Sequence, residues 1–273
     1  MFFKTIKEGW DTTNQLMGYI LLFSMYQLIW GIFLYRWIQS IVHSISQRIP
    51  ISEIKDAQQL FMIESGYLIS NVDFIINHLT PLIILLSLRW VLSPLLNAGL
   101  FYTIHYKHQE SSRSLFFQGI VKQGASFLFI SFVHLVLLAV PLYWFISFIK
   151  NKLATLTSLE SIFFNFVPLV LVFVVYAWFI HIVVIYMQWR KTTHNALLPP
   201  IFFIFKHFLF LIGFSLIMLL LLGLSKILFS SVSIFWAGLF AIIMHQVQYY
   251  FSTYFKILEV NIQYHFWTKN KPQ

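Results

Sequence analysis

The residue with the most chemistry in this sequence is an arginine inside an apolar run. Arg89 lies in Leu79–Ile104, followed by Ser93 and Asn97, so the three share one helical face. A guanidinium offers a planar fork of donors that suits a phosphate or a carboxylate. Arg89 is about ten residues, or about 15 Å, into the run. Holding the cation there costs about 2.5–3.5 kcal/mol, and no Asp or Glu occurs inside the apolar runs to offset it. Two accounts fit: Arg89 bonds neighbouring carbonyls or snorkels outward, or it lines a polar cavity that receives an anionic group such as a lipid phosphate. Asp73 and Glu64, earlier in the chain, are the acids that a fold-back would bring to it.

Histidine forms the second set. His134, His181 and His245 fall inside three different apolar runs, and His207 lies early in a fourth. Counted from the nearer basic ends, His134, His181 and His207 are about 9–15 Å deep and His245 about 20 Å. Matched depth suits a proton route or a metal; neutral imidazoles hydrogen-bonded across helices are the commoner arrangement. His245, Gln248, Ser252 and Glu259 recur at helical spacing as one polar stripe, fit for an interior cavity, a subunit interface or helix–helix glue. His105 and His108 make an H-x-x-H pair with Glu110 and His194 elsewhere. Two histidines in a basic loop fall short of the three or four ligands that zinc takes.

The elements that position these residues follow from composition. Of 273 residues, 59% are hydrophobic and 10% charged, against about 25% charged in soluble domains. That excludes a water-soluble surface and equally excludes intrinsic disorder. With no cysteine there is no disulfide, thiolate metal site or cysteine nucleophile. The expectation is an all-α bundle of six membrane helices, near 16–35, 79–104, 125–149, 162–188, 201–229 and 232–258. The second run is interrupted by Arg89, Pro94 and Gly99, which predicts a disturbed helix. Met1–Gln15 is a short amphipathic lead, and its apolar continuation is too long for a signal peptide and lacks a cleavage site. The segment 36–78 holds Ile54, Ala57, Phe61 and Leu68 on one face, after Ser52 as an N-cap, and reads as an outer amphipathic helix or an ordered loop.

Charge placement orients the bundle. With the N-terminus inside, the cytoplasmic side holds Lys4, Lys7, Lys107, Arg113, Lys122, Arg190, Lys191, Lys206, Lys256, Lys269 and Lys271. The outer side holds Arg36, Arg48, Lys55, Lys150, Lys152 and Lys226. Eleven against six favours both termini on the cytoplasmic side of the cell membrane. The net charge of +9 therefore reflects orientation beside anionic lipid, with no nucleic acid implied.

Two stretches carry a family likeness. The chain opens Phe2-Phe3-Lys4-Thr5-Ile6-Lys7-Glu8-Gly9-Trp10, and before the third run reads Ser112-Arg113-Ser114-Leu115-Phe116-Phe117-Gln118-Gly119-Ile120-Val121-Lys122. This resembles six-helix prokaryotic membrane proteins related to the membrane domain attached to some glycerophosphodiester phosphodiesterases. The resemblance implies an amphipathic lead and a short cytoplasmic helix running into the third span. These residues include no phosphodiesterase segment, so no catalytic residue is carried over.

No H-E-x-x-H, P-loop, dinucleotide fingerprint or G-x-S-x-G occurs, and no run holds two acids. Nothing in the sequence asks for an enzyme or a cofactor. The function expected is binding or translocation of an amphiphilic or anionic ligand, a lipid-like one among them, with Arg89, Ser93, Asn97, His134, His181, His245 and Gln248 as ligand-binding candidates. Membrane lipids are the expected partners. The alternative is a non-catalytic scaffold, immunity or assembly factor that binds other membrane proteins or a second copy of itself.

Overall fold

Continuous apolar runs leave the backbone no partner in hydrocarbon except itself, and the helix is the form that satisfies it within one segment. The computed structural model describes residues 2–46, 72–107, 114–153, 159–194, 200–235 and 239–270. Every regular element among them is an α-helix: α1 (Phe2–Asn14), α2 (Met17–Ser46), α3 (Val72–Tyr106), α4 (Leu115–Leu153), α5 (Leu159–His194), α6 (Ile201–Lys206), α7 (Phe208–Phe235) and α8 (Leu239–Asn270). Five of them contain stretches long and apolar enough to cross a membrane: Met17–His43, Leu79–Tyr106, Leu115–Phe145, Val167–His194 and Phe208–Val232. The chain is thus a helical, membrane-type protein. The sixth expected span falls on α8, which is not among the five. Its apolar residues are interleaved with His245, Gln246, Gln248, Lys256 and Glu259.

The helices run past the ends that hydropathy alone suggests. Arg36–Ser46 continues α2, and residues 72–78 open α3, so both ends of the expected outer segment belong to long helices. The stretch with Ser52, Ile54, Ala57, Phe61, Glu64 and Leu68 lies outside the described residues. Span five begins with the short α6 and a turn at His207, whose N–H still donates to Phe203 O at 3.1 Å before α7 takes over.

α3 continues as helix across Pro94 and Gly99, from Val72 through Tyr106. The glycine serves contact between helices. A Cβ on Gly99 would stand 2.8 Å from Phe116 O, and one on Gly119 would stand 3.0 Å from Ala98 O and from Gly99 Cα. The backbones of α3 and α4 approach so closely that only small residues fit between them, as membrane helices often arrange.

Two compact regions divide the chain. The first comprises Met1–Gln15, Ser93–Leu221 and Lys256–Gln273; the second comprises Leu16–Leu92 and Leu222–Phe255. The first is filled by aromatic side chains. Phe101 lies 4.1 Å from Trp189 between ring centres and 5.5 Å from Phe127, Trp189 lies 4.7 Å from Tyr264, and Phe210 stacks on Phe266 at 3.9 Å. Trp189 and Trp267 are almost wholly buried. The helix α1 joins this core through Thr5, Gly9 and Thr13, a stripe of small residues at spacing four. Thr5 and Thr13 are fully buried, and Gly9 lies against the backbone of Ile262, where no Cβ fits. In the second region Ile20, Phe23 and Trp30 are buried, while Ile83, Ile84, Leu86, Leu88, Leu224, Ile227 and Leu228 are exposed. Apolar surface on that scale suits lipid, not water.

Candidate functional site

In the second region, α2 and α3 place Arg89 beside tryptophan. The Arg89 Cζ lies 6.0 Å from the Trp30 ring centre, within the range of a cation–π contact. Tyr26 stands edge-on to Trp30 at 5.9 Å and donates its hydroxyl to Arg89 O at 3.4 Å. Trp30, Phe33 and Trp37 of α2 and Leu82, Leu85 and Leu86 of α3 line a crevice of about 20 Å³ at the guanidinium. That is room for about one water-sized group. Arg89 itself is exposed.

Among the described residues, no carboxylate lies within ion-pair distance of Arg89. The fold-back partner Asp73 is ruled out by the helix: it belongs to α3 itself, sixteen residues earlier and about 24 Å along the axis. Glu64 lies outside the described residues. Ser93 and Asn97 follow Arg89 on α3, but the division between the compact regions falls between Leu92 and Ser93. The expected triad is therefore one helix stripe whose first member belongs to the second region and whose other two belong to the first.

The histidines separate likewise. His134 of α4 and His181 of α5 come together in the first region, ring centres 6.3 Å apart. His245 belongs to the second region and its side chain lies outside the described residues; Gln248 also belongs to the second region. His207 lies among aromatics, 4.8 Å from Phe203 and 5.2 Å from Phe266. Among the described residues no three His, Asp or Glu side chains gather as a metal site. His105 shares a hydrogen bond with Tyr264, Nδ1 to Oη 3.1 Å. Burial pushes the Tyr264 phenol above its ordinary value, so it remains a neutral hydroxyl. His194 meets Trp267 edge-on at 6.3 Å, and His108 and Glu110 lie outside the described residues.

Sequence reasoning missed a polar network in the first region. Lys269 pairs with Glu8, and His265 Nδ1 lies 3.9 Å from the same carboxylate. Lys269 holds the Glu8 carboxyl below its usual range. Thr12 donates to Glu8 O at 2.9 Å, so the 2.8 Å contact between Thr12 Oγ1 and His265 Nε2 takes its proton from the ring. Asn261 donates to Thr13 at 2.8 Å, Thr192 to Gln123 at 3.0 Å, and Trp267 to Thr193 at 3.1 Å. Tyr186 Oη, Trp189 Nε1, Asn261 Oδ1 and Gln263 Oε1 are buried in the same region with no hydrogen-bond partner among the described residues. The spacing of Thr5, Gly9 and Thr13 was a legible signal that α1 docks; its partners on α8 were not.

Compared with protein-family models, curated proteins and solved structures, the chain matches none of them. The arrangement of its own side chains is therefore what bears on function.

Proposed function

We propose that the protein binds or translocates an anionic amphiphile, with Arg89 as the group that meets the charge. The carrying observation is an exposed guanidinium, about 15 Å into an apolar span, with Trp30 at its face and no carboxylate partner among the described residues. A cation at that depth costs about 2.5–3.5 kcal/mol, and a cation–π contact returns about 0.5–2 kcal/mol. An anion at the open edge supplies the remainder. In this reading α8 makes a sixth crossing with residues 239–258, about 30 Å of helix. Both termini then face the cytoplasm, on the strength of the eleven-to-six distribution of cations, and the chain resides in the cell membrane. Membrane lipids are its ligands or partners, and no residue is assigned a catalytic role.

Lipid extracted from the protein purified out of cells tests this reading. Wild-type protein is expected to carry anionic lipid, Arg89→Ala to lose most of it, and Arg89→Lys to keep part, because the charge remains without the bidentate fork. Unchanged lipid content in both variants would overturn the proposal and favour the scaffold alternative.

A further inference from the structure

The opposite face of α2 lines a second and larger space. Leu28, Gly31, Ile32, Arg36 and Gln39 of α2, with Gln246 and Tyr249 of α8, line an open cleft of about 330 Å³, wholly within the second region. Its α2 wall is ordered by polarity. Leu28, Gly31 and Ile32 come first, and Arg36 and Gln39 follow about 6–16 Å further along the axis. Arg36 has no carboxylate partner, and the amides of Gln39 and Gln246 make no hydrogen bond, among the described residues. Arg36 and Gln39 at one end of the α2 wall and Leu28 and Ile32 at the other match the order of groups in a phospholipid, with the Tyr249 hydroxyl as the polar atom beside Gly31.

We propose that this cleft holds one anionic glycerophospholipid, its phosphate at Arg36 and its acyl chain along Leu28, Gly31 and Ile32. Gln39 and Gln246 donate to the ester or headgroup oxygens. Gly31 lets Tyr249 close against α2 as the cleft's side wall: a Cβ there would stand 3.0 Å from Tyr249 Oη. The site uses no atom of Arg89 and does not depend on the function proposed above.

The test is native mass spectrometry of the full chain, released from bilayer discs of equal phosphatidylglycerol and phosphatidylcholine. Wild type is expected to retain one phosphatidylglycerol at the cleft, and a second where the Arg89 proposal also holds. Arg36→Gln is expected to show about tenfold weaker occupancy at the cleft. Gly31→Leu is expected to do the same by filling the cleft; Gly31→Ala replaces it if the leucine variant is not monodisperse. Inorganic phosphate at millimolar concentration is expected not to displace the lipid. Wild-type retention in both Arg36→Gln and the Gly31 variant overturns the inference, as does displacement by free phosphate. Loss in Arg89→Gln alone removes the cleft and leaves the first proposal standing. Loss in the Arg36 and Gly31 variants alone does the reverse.

Discussion

The two compact regions differ in what their most conspicuous polar side chains meet. In the first, Thr13, Gln123, Thr192 and Asn261 are buried and hydrogen-bonded to one another in pairs, among Trp189, Tyr186 and Trp267. In the second, Arg36 and Arg89 are exposed, stand beside apolar or aromatic walls, and have no carboxylate partner among the described residues. A polar group satisfied inside the protein fixes architecture. A cation left at an apolar surface has unmet interaction energy that a ligand can supply. On the function proposed above, the first region's buried pairs hold the fold and the second region's arginines meet the ligand, although both regions are built from similarly apolar helices.

The hardest blow to the first region is the loss of its central tryptophan. Trp189→Ala removes a fully buried ring in contact with Phe101 and Tyr264, and is expected to cost about 3–5 kcal/mol. Thermal unfolding in detergent reads this directly; a change under about 1 kcal/mol would mean that the ring does not hold the core. Gly119→Val should follow, at about 3 kcal/mol, because its side chain collides with the backbone of α3. The matching change in the second region, Gly223→Ala, meets nothing within 4 Å. It should be neutral, or stabilising by about 0.5–1 kcal/mol through helix propensity. Equal costs at the two glycines would erase the difference in packing.

These glycines also show where reading a sequence stops. Apolar runs announce helices because a chain in hydrocarbon has few other choices, and the amphipathic lead was visible in its spacing and is helical as α1. Helix ends were less legible: α4 starts at Leu115 and α5 continues to His194, since polar turns remain helical after hydropathy falls. Gly99 reads as a weak point in one helix, and becomes a contact only when Phe116 and Gly119 of α4 are known. Arg89 was conspicuous because charge is scarce. Arg36 was counted merely as a flanking cation, since its cleft needs Gln246 and Tyr249 from far along the chain.

A small expected loss of stability concerns the Glu8–Lys269 pair, which is about one-third exposed. Lys269 lowers the Glu8 pKa. Its contribution is therefore present above the unfolded carboxyl value and lost as pH falls through the folded one. At this exposure it amounts to about 0.5 kcal/mol, or about 1–2 °C in Tm. A Tm series from pH 6 down to about pH 3 should show that loss in the wild type and not in Glu8→Gln. Parallel curves would remove the pair from the set of contacts that hold α1.

The division of roles rests most heavily on Arg89. Titrating the protein, held in neutral lipid discs, with phosphatidylglycerol gives one affinity for the wild type and one for Arg89→Gln, in a background of Arg36→Gln that silences the second site. We expect affinity about tenfold weaker without the guanidinium and falling with added salt only when it is present. The same affinity and the same salt dependence in both proteins would contradict the account.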